Sequence, residues 1–220
     1  MYQAAVLVNF CFLLMTLTQV PAHCPCNQER HPQEMFCSAD VVIRGKLFGG
    51  RLASELPNST NQHSMIIYKV KMIKMFQGFD KMHHVSYLQT PAPPGLCYLW
   101  PQPERKHYLI TGRVQEGRLV VNSCDWVQTW QSLSLTQRRS LRFRYRKGCA
   151  CQIRKCSAWQ CGVSRESDCW WTDWQWQGKA RGHQARHYAC LRRAGKSCSW
   201  YRGQLDPALG KTNDQTQVFP

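Results

Sequence analysis

The sequence lacks an apolar run long enough to span a bilayer. Residues 4–15 are apolar apart from Asn9, but a membrane helix needs about 20 such residues. Residues 1–23 carry no charged side chain, and together these features are typical of a secretory signal peptide. We therefore expect a signal peptide over residues 1–23, cleaved after His23 or, alternatively, after Ala22, and an exported product with no membrane span.

The sequence is also poor in acidic residues. It has 13 aspartates and glutamates against 29 lysines and arginines, a formal net charge of +16 at pH 7. For an exported protein the natural polyanionic partners are sulfated glycans such as heparan sulfate, or acidic membrane surfaces, rather than nucleic acid. The stretch after Asp125 has no acidic residue before Glu166 and contains the predicted glycan-binding residues Arg138, Arg139, Arg142 and Arg146. The alternative is that these arginines form only a solvated basic face.

The ligand spacing of a zinc site is missing as well. Cys149, Cys151, Cys156 and Cys161 are clustered, but zinc sites favour cysteine pairs two to four residues apart with histidines at matching spacing. Of the 13 cysteines, Cys11 would leave with the signal peptide, and the remaining number is even. In an oxidising compartment this predicts six disulfides, and a zinc protein is the less favoured alternative.

Strand patterns dominate residues 38–125. They predict five strands and a hairpin turn at residues 115–117; the strands cover residues 40–48 (ending at a Gly-Gly pair), 65–76, 84–89, 108–114 and 118–122. Five strands with short hairpins favour a small closed or nearly closed barrel. The polar stretch 49–62 contains the sequon Asn58-Ser59-Thr60, which predicts glycosylation of Asn58.

A helix and a change of composition follow the predicted barrel. Ser134 and Gln137 have the spacing of a capping box, and Leu135, Leu141 and Tyr145 would share one face of a helix that stops near Gly148. Beyond Cys149 the chain is rich in cysteine and tryptophan. This favours a small disulfide-stapled subdomain, in which the tryptophans pack, followed by a mobile tail.

Several short motifs, taken together, indicate a resemblance to a known family. They are Cys24-x-Cys26, His31-Pro32-Gln33 with Phe36-Cys37, Asp40-Val41-Val42-Ile43-Arg44, Gly148-Cys149-x-Cys151, Cys169-x-Trp171-Thr172-Asp173-Trp174 and Cys198-Ser199-Trp200-Tyr201. With the cysteine order, they resemble the tissue inhibitors of metalloproteinases over essentially the whole mature chain. Residues 151–153 and 182–185 look most like the second and fourth vertebrate paralogues.

The resemblance implies a fold and a disulfide pattern. The fold would be mainly β with some α: a netrin-like domain on an OB-type five-stranded barrel with flanking helices over residues 24–149, and a disulfide-rich C-terminal subdomain over residues 150–220. The family's cysteine order implies six pairs, none of which crosses between the two parts: Cys24–Cys97, Cys26–Cys124, Cys37–Cys149, Cys151–Cys198, Cys156–Cys161 and Cys169–Cys190.

The resemblance also implies a function, that of a secreted inhibitor of matrix metalloproteinases and related zinc proteinases. It would not be an enzyme, would need no cofactor of its own, and would act as a monomer in a 1:1 complex. The α-amine and carbonyl oxygen of Cys24 would coordinate the target's catalytic zinc, at the position a water otherwise holds. The other implied contact residues are Pro25, Cys26, Asn27, Pro93, Pro94, Gly95, Leu96 and Cys97.

Two departures from the family pattern bear on this function. Pro25 stands where the family usually has threonine or serine, and it fills a specificity pocket less deeply. One extra residue separates Cys26 from His31. The alternative function is a matrix-binding and heparan-sulfate-binding netrin-like module with weak or no inhibitory activity. It is favoured by Pro25 and by the open choice of cleavage site, because an extra His23 would block the zinc contact and leave only matrix binding. Histidines 83, 84, 183 and 187 show no ligand pattern beyond ordinary surface use.

Overall fold

The computed structural model describes residues 29–53, 65–91, 106–156, 161–162, 165–174 and 182–202. Three α-helices lie within these ranges: α1 (Pro32–Cys37), α2 (Leu135–Phe143) and α3 (His183–His187). Ten strands lie there too: β1 (Val41–Ala53), β2 (Met65–Gln77), β3 (Tyr87–Pro91), β4 (Tyr108–Gln115), β5 (Arg118–Val120), β6 (Val127–Thr129), β7 (Gln152–Lys155), β8 (Asp168–Trp171), β9 (Tyr188–Arg192) and β10 (Cys198–Arg202).

Five strands close into a barrel. The order around it is β1-β2-β3-β5-β4, and β4 pairs back with β1. All neighbours are antiparallel except β3 and β5, which run parallel. The predicted five-stranded closed barrel is confirmed, and the short strand β6, which the sequence analysis missed, extends the sheet beside β4.

The first strand serves two cores because its side chains alternate between faces. Val41 and Ile43 point into the barrel, whereas Val42 faces a second core between the barrel and the helices. The barrel core also contains Leu47, Tyr68, Val70, Leu88, Ile110, Leu119 and Val121. The second core contains Phe36, Leu109, Trp126, Trp130, Leu141, Tyr145 and Ala189, so it combines barrel, helix and C-terminal residues.

The predicted end of β1 at the Gly-Gly pair is wrong. The strand continues through Gly49 and Gly50, and its register with β2 shifts between Phe48 and Gly50. Gly49 has a φ of +40°, which glycine adopts without strain, so the pair bends the strand as a bulge rather than ending it. β3 and β5 also differ from prediction, because β3 begins at Tyr87 and β5 ends at Val120.

The predicted start of α2 is confirmed. The Ser134 hydroxyl accepts a hydrogen bond from the Gln137 N–H at 3.0 Å, and the Ser134 N–H donates to the Gln137 side-chain oxygen at 2.9 Å. The α-helix ends at Phe143, and a 3-10 turn over Tyr145–Gly148 follows it. Leu141 and Tyr145 are buried as expected, while Leu135 is only half-buried.

The C-terminal residues form a third core around disulfides. β7 and β8 pair in parallel and β9 and β10 pair antiparallel. Trp171 is fully buried, and Trp174 and Trp200 pack against the same cluster, which agrees with the expected packing role of the tryptophans. Three disulfides belong to this part: Cys151–Cys198, Cys156–Cys161 and Cys169–Cys190. Within the described ranges, no helix is long and apolar enough to cross a bilayer.

Gln33 joins the beginning of the described chain to its C-terminal part. Its side-chain amide donates to the carbonyl oxygens of Gly148 at 3.0 Å and Cys190 at 2.8 Å, and its carbonyl accepts from the Cys190 N–H at 2.9 Å. A side chain on Gly148 would collide with Cys190 O and Gln33 Nε2, so glycine is required there by the close approach.

We predict that Gln33→Ala lowers the free energy of unfolding by about 2–4 kcal/mol, because it leaves the buried N–H and carbonyl groups of Cys190 without partners. Equilibrium denaturation by guanidinium chloride measures the loss. Gln115→Ala, at an exposed end of β4, is the matched control and should change stability by less than about 0.5 kcal/mol. Equal stability of the two variants would show that the Gln33 contacts contribute little.

Candidate functional site

The predicted contact residues lie outside the described part of the chain. This applies to Cys24, Pro25, Cys26 and Asn27, to the ridge 93–97, and also to the glycosylation site Asn58. The described residues immediately downstream, from Glu29 to Asp40, show how the chain is anchored next to that segment.

Helix α1 begins five residues after Asn27, and His31 caps it. The Nδ1 atom of His31 accepts a hydrogen bond from the Gln33 N–H at 3.2 Å, and the His31 N–H donates to the Glu34 carboxylate at 2.8 Å. Pro32 occupies the first turn, where its missing N–H has no cost. This is a capping box with histidine in the place of serine or threonine, and it fixes the direction in which the chain enters the helix.

The ring of His31 is packed in the C-terminal core. It is fully buried, with ring centroids 5.3 Å from both Trp171 and Trp200. Burial lowers the pKa of His31 to about 3, so the ring is neutral at physiological pH. Burial also raises the pKa of Glu34, against the opposing effects of the His31 hydrogen bond and the charges of Arg30 and Lys155.

The far end of α1 is held by a disulfide and a glutamine. Cys37 is bonded to Cys149, with their Cα atoms 5.4 Å apart. The amide of Gln77 donates to the carbonyl oxygen of Ala39 at 2.5 Å and to that of Phe36 at 3.3 Å. The helix is therefore fixed at its start by a cap, in its first turn by Gln33 and at its end by a covalent bond.

A tight turn presents Cys124, which is disulfide-bonded. The Asn122 N–H donates to the Asp125 carboxylate at 2.7 Å, and the Asp125 N–H donates to the Asn122 carbonyl at 3.0 Å. Burial raises the pKa of Asp125, while the charges of Arg113 and Arg30 lower it.

The arginines predicted to bind glycans differ in exposure. Arg139, Arg142 and Arg146 are exposed, whereas Arg138 is half-buried. The Arg138 guanidinium lies 5.6 Å from the centroid of Trp130 and donates to the Gln131 carbonyl at 3.0 Å. The outward basic face of this region therefore consists mainly of the other three arginines.

Comparison with known proteins decides the family. The family model described as Tissue inhibitor of metalloproteinase matches residues 22–200. The chain belongs to this family. Its proteins are inhibitors and not enzymes, which agrees with the prediction from the motifs.

Curated relatives agree with this assignment over most of the chain. Metalloproteinase inhibitor 3 of Scyliorhinus torazame is 40% identical over 199 residues, which cover 90% of each protein. Metalloproteinase inhibitor 3 of Gallus gallus is 42% identical over 177 residues, 80% of this chain and 81% of the relative. Metalloproteinase inhibitor 4 of Mus musculus is 38% identical over 177 residues, 80% and 79% respectively. The predicted likeness to the fourth paralogue agrees with the match to metalloproteinase inhibitor 4. The likeness to metalloproteinase inhibitor 3 is not among the predictions from the sequence.

Four disulfides have both of their cysteines within the described ranges, and all four belong to the pattern that the family resemblance implied. They are Cys37–Cys149, Cys151–Cys198, Cys156–Cys161 and Cys169–Cys190. Sequence reasoning missed the roles of His31 and Gln33 in fixing the inhibitor's α1. The capping spacing of His31 and Glu34 was a local signal, but the contact of Gln33 with Cys190 spans 157 residues and has none.

We predict that the buried His31 makes this protein less stable in mild acid than at neutral pH. Its folded pKa of about 3 lies below the ordinary value of 6.5, so only the unfolded chain takes up this proton between those pH values. Stability from this group is complete above about pH 6.5 and falls by about 1.4 kcal/mol per pH unit as the pH decreases towards 3. In His31→Asn, which keeps a capping side chain, the dependence should be flatter.

Urea unfolding of both proteins at intervals from pH 4 to 7 measures the two slopes. The variant leaves a smaller side chain between the tryptophans, so its absolute stability is lower at neutral pH, and only the slope is diagnostic. Parallel curves for the two proteins would show that His31 is not the titrating group.

Proposed function

We propose that this chain is a secreted inhibitor of zinc metalloproteinases that binds the target's catalytic zinc through the α-amine and carbonyl oxygen of Cys24. The observation that carries the proposal is the anchoring of α1, which starts eight residues after Cys24. Family membership supports it, because relatives over most of the chain are named metalloproteinase inhibitors.

The chemistry of the terminus suits this task. A catalytic zinc in a proteinase keeps one position for the water that attacks the peptide bond, and a neutral amine with the adjacent carbonyl oxygen can displace that water. An α-amino group has an ordinary pKa of about 7.7–8.0, so deprotonation near neutral pH costs little. The Cys24 thiol takes no part, since we propose that it is paired with Cys97.

Preorganisation would supply much of the affinity. The proposed Cys24–Cys97 and Cys26–Cys124 bonds would add two fixed points to a segment whose next residues are held by the cap at His31 and by Gln33. A segment that is already ordered loses less conformational entropy on binding. The first of these bonds would also bring residues 93–97 alongside, as a second contact ridge for the same cleft.

The remaining residues of the segment would set specificity. Pro25 would enter the primed specificity pocket of a matrix metalloproteinase, where its ring fills less depth and offers no hydroxyl group. Cys26 and Asn27 would continue along the cleft in a 1:1 complex. We also propose that Asn58 is glycosylated in the exported protein.

We predict that acetylating the α-amine of Cys24 abolishes inhibition without unfolding the protein. Acetylation turns the amine into an amide, whose nitrogen lone pair is delocalised and no longer a good zinc ligand. One extra residue before Cys24 should have the same effect, because it blocks the zinc and removes the amine. The measurement is titration of a matrix metalloproteinase with each form, followed by residual peptidase activity.

Circular dichroism and the thermal midpoint serve as the folding control for these forms. Mock-treated protein that keeps its free amine provides the matched reference. Full inhibition by the acetylated protein at the same concentrations would show that the zinc contact is made elsewhere.

The exposed arginines support a second, additional property. We propose that Arg139, Arg142 and Arg146 bind sulfated glycans such as heparan sulfate, with a smaller part for the half-buried Arg138. Family membership favours inhibition as the main function, so this surface would locate the inhibitor in the matrix.

We predict that replacing Arg139, Arg142 and Arg146 together by glutamine lowers the salt concentration at which the protein leaves heparin. The attraction between exposed charges is screened by salt. The difference in heparin affinity between the wild type and the variant should therefore be large at low ionic strength and small at high ionic strength. The control has the same charge change at three other exposed positions, Arg113 on β4, Arg118 on β5 and Lys81 in the turn after β2. Equal retention of the two triple variants would leave only a non-specific effect of net charge.

A further inference from the structure

Helix α3 places two histidines side by side. His183 and His187 are four residues apart on this helix, and their ring centroids are 4.8 Å apart with an interplanar angle of 43°. Residues four apart on a helix lie on the same face, one turn above each other. His183 is exposed and His187 is half-buried, so both rings can be reached from solvent.

The helix is short, but its backbone is held by its surroundings. Ala185 is fully buried, and its carbonyl oxygen accepts from the Gln137 side chain of α2 at 3.1 Å. The Arg186 carbonyl accepts from the Ser134 hydroxyl. A helix of five residues would not be stable alone, so these contacts preset the positions of the two histidines.

Gln184 fixes the other side of the helix. Its N–H donates to the Asp173 carboxylate at 2.7 Å, and its side-chain oxygen accepts from the Thr172 N–H at 2.7 Å. Its side-chain amide also donates to the Trp170 carbonyl at 3.2 Å. Residues 184–186 are thus tied to α2 and to the β8 region, and His183 and His187 lie at the two ends of this anchored helix.

We propose that His183 and His187 together bind a divalent transition-metal ion, with water in the remaining coordination positions. Imidazole nitrogens are good ligands for Cu²⁺, Ni²⁺ and Zn²⁺. Two histidines four residues apart on one helix face are also the ligand arrangement in helical zinc motifs. The site belongs to this chain and is separate from the zinc of a target proteinase.

The ligand type restricts which metal the pair selects. Two nitrogen ligands disfavour Ca²⁺ and Mg²⁺, which need several oxygen ligands. Burial, and then the neighbouring His183, Arg186 and Arg202, lower the pKa of His187. The two arginine charges also weaken the binding of every divalent cation. Among first-row ions, affinity for nitrogen sites rises to Cu²⁺ and is lower for Zn²⁺, so Cu²⁺ is the ion to use as a probe.

The test is calorimetric titration of the purified full-length secreted protein with CuCl₂, alongside His183→Gln and His187→Gln. Each substitution should weaken one Cu²⁺ site at least about tenfold, since even the loss of an outer partner changes metal affinity by 10–100-fold. His83→Gln removes an exposed histidine from another part of the surface and should leave that site unchanged. Equal affinity in the wild type and in both pair variants would overturn the proposal, and so would an equal loss in the control.

Pulsed electron paramagnetic resonance of the wild type with one equivalent of Cu²⁺ gives a second readout that needs no variant. We expect coupling to two imidazole nitrogens from the same ion. Coupling to one imidazole or to none would overturn the proposal. Coupling to none is the result expected if Cu²⁺ binds at the terminal amine instead. We expect the two histidine variants to lose the copper site and to inhibit a metalloproteinase as strongly as the wild type does. Loss of metal binding can then be distinguished from loss of inhibition.

Discussion

The hydrogen bonds of Gln33 with Cys190 and Gly148 are the contact on which the rest of this structure depends. One side chain satisfies both backbone groups of Cys190 and the carbonyl of Gly148, all of them buried. Each of the two Cys190 groups would cost about 1–3 kcal/mol if left without a partner, whereas the Gly148 carbonyl also accepts from the Cys151 N–H at 3.0 Å. The contact therefore requires glycine at position 148 and draws α1 against β9. The neighbouring His31 is consequently buried between tryptophans from the C-terminal part.

This contact gives the C-terminal part a role in the proposed inhibition. The barrel, the 3-10 turn before Cys149 and the disulfide-rich part all touch α1, so the chain leaves the helix start in one direction. A metal ligand supplied by a chain terminus is effective only if the terminus is already ordered. Ordering it during binding would cost conformational entropy and weaken the complex.

Sequence reasoning succeeded where the signals were local and failed where partners were distant. The barrel strands and the Ser134 capping box follow from patterns within a few residues, and both are present. The continuation of β1 through Gly49 and Gly50 depends on pairing with β2, which a local breaker rule does not include. The disulfide pattern came from the family's cysteine order, since spacing alone leaves the connectivity open. The proximity of His183 and His187 needed the knowledge that α3 is a helix.

A crystal structure of the 1:1 complex with the catalytic domain of a matrix metalloproteinase tests the central claim most directly. Our account predicts that the α-amino nitrogen and carbonyl oxygen of Cys24 both coordinate the catalytic zinc, at about 2.0–2.2 Å. It also predicts that Gln33 keeps its bonds to Cys190 in the complex, because binding needs no rearrangement of α1. A zinc that retains its water while the inhibitor is bound elsewhere would contradict the account.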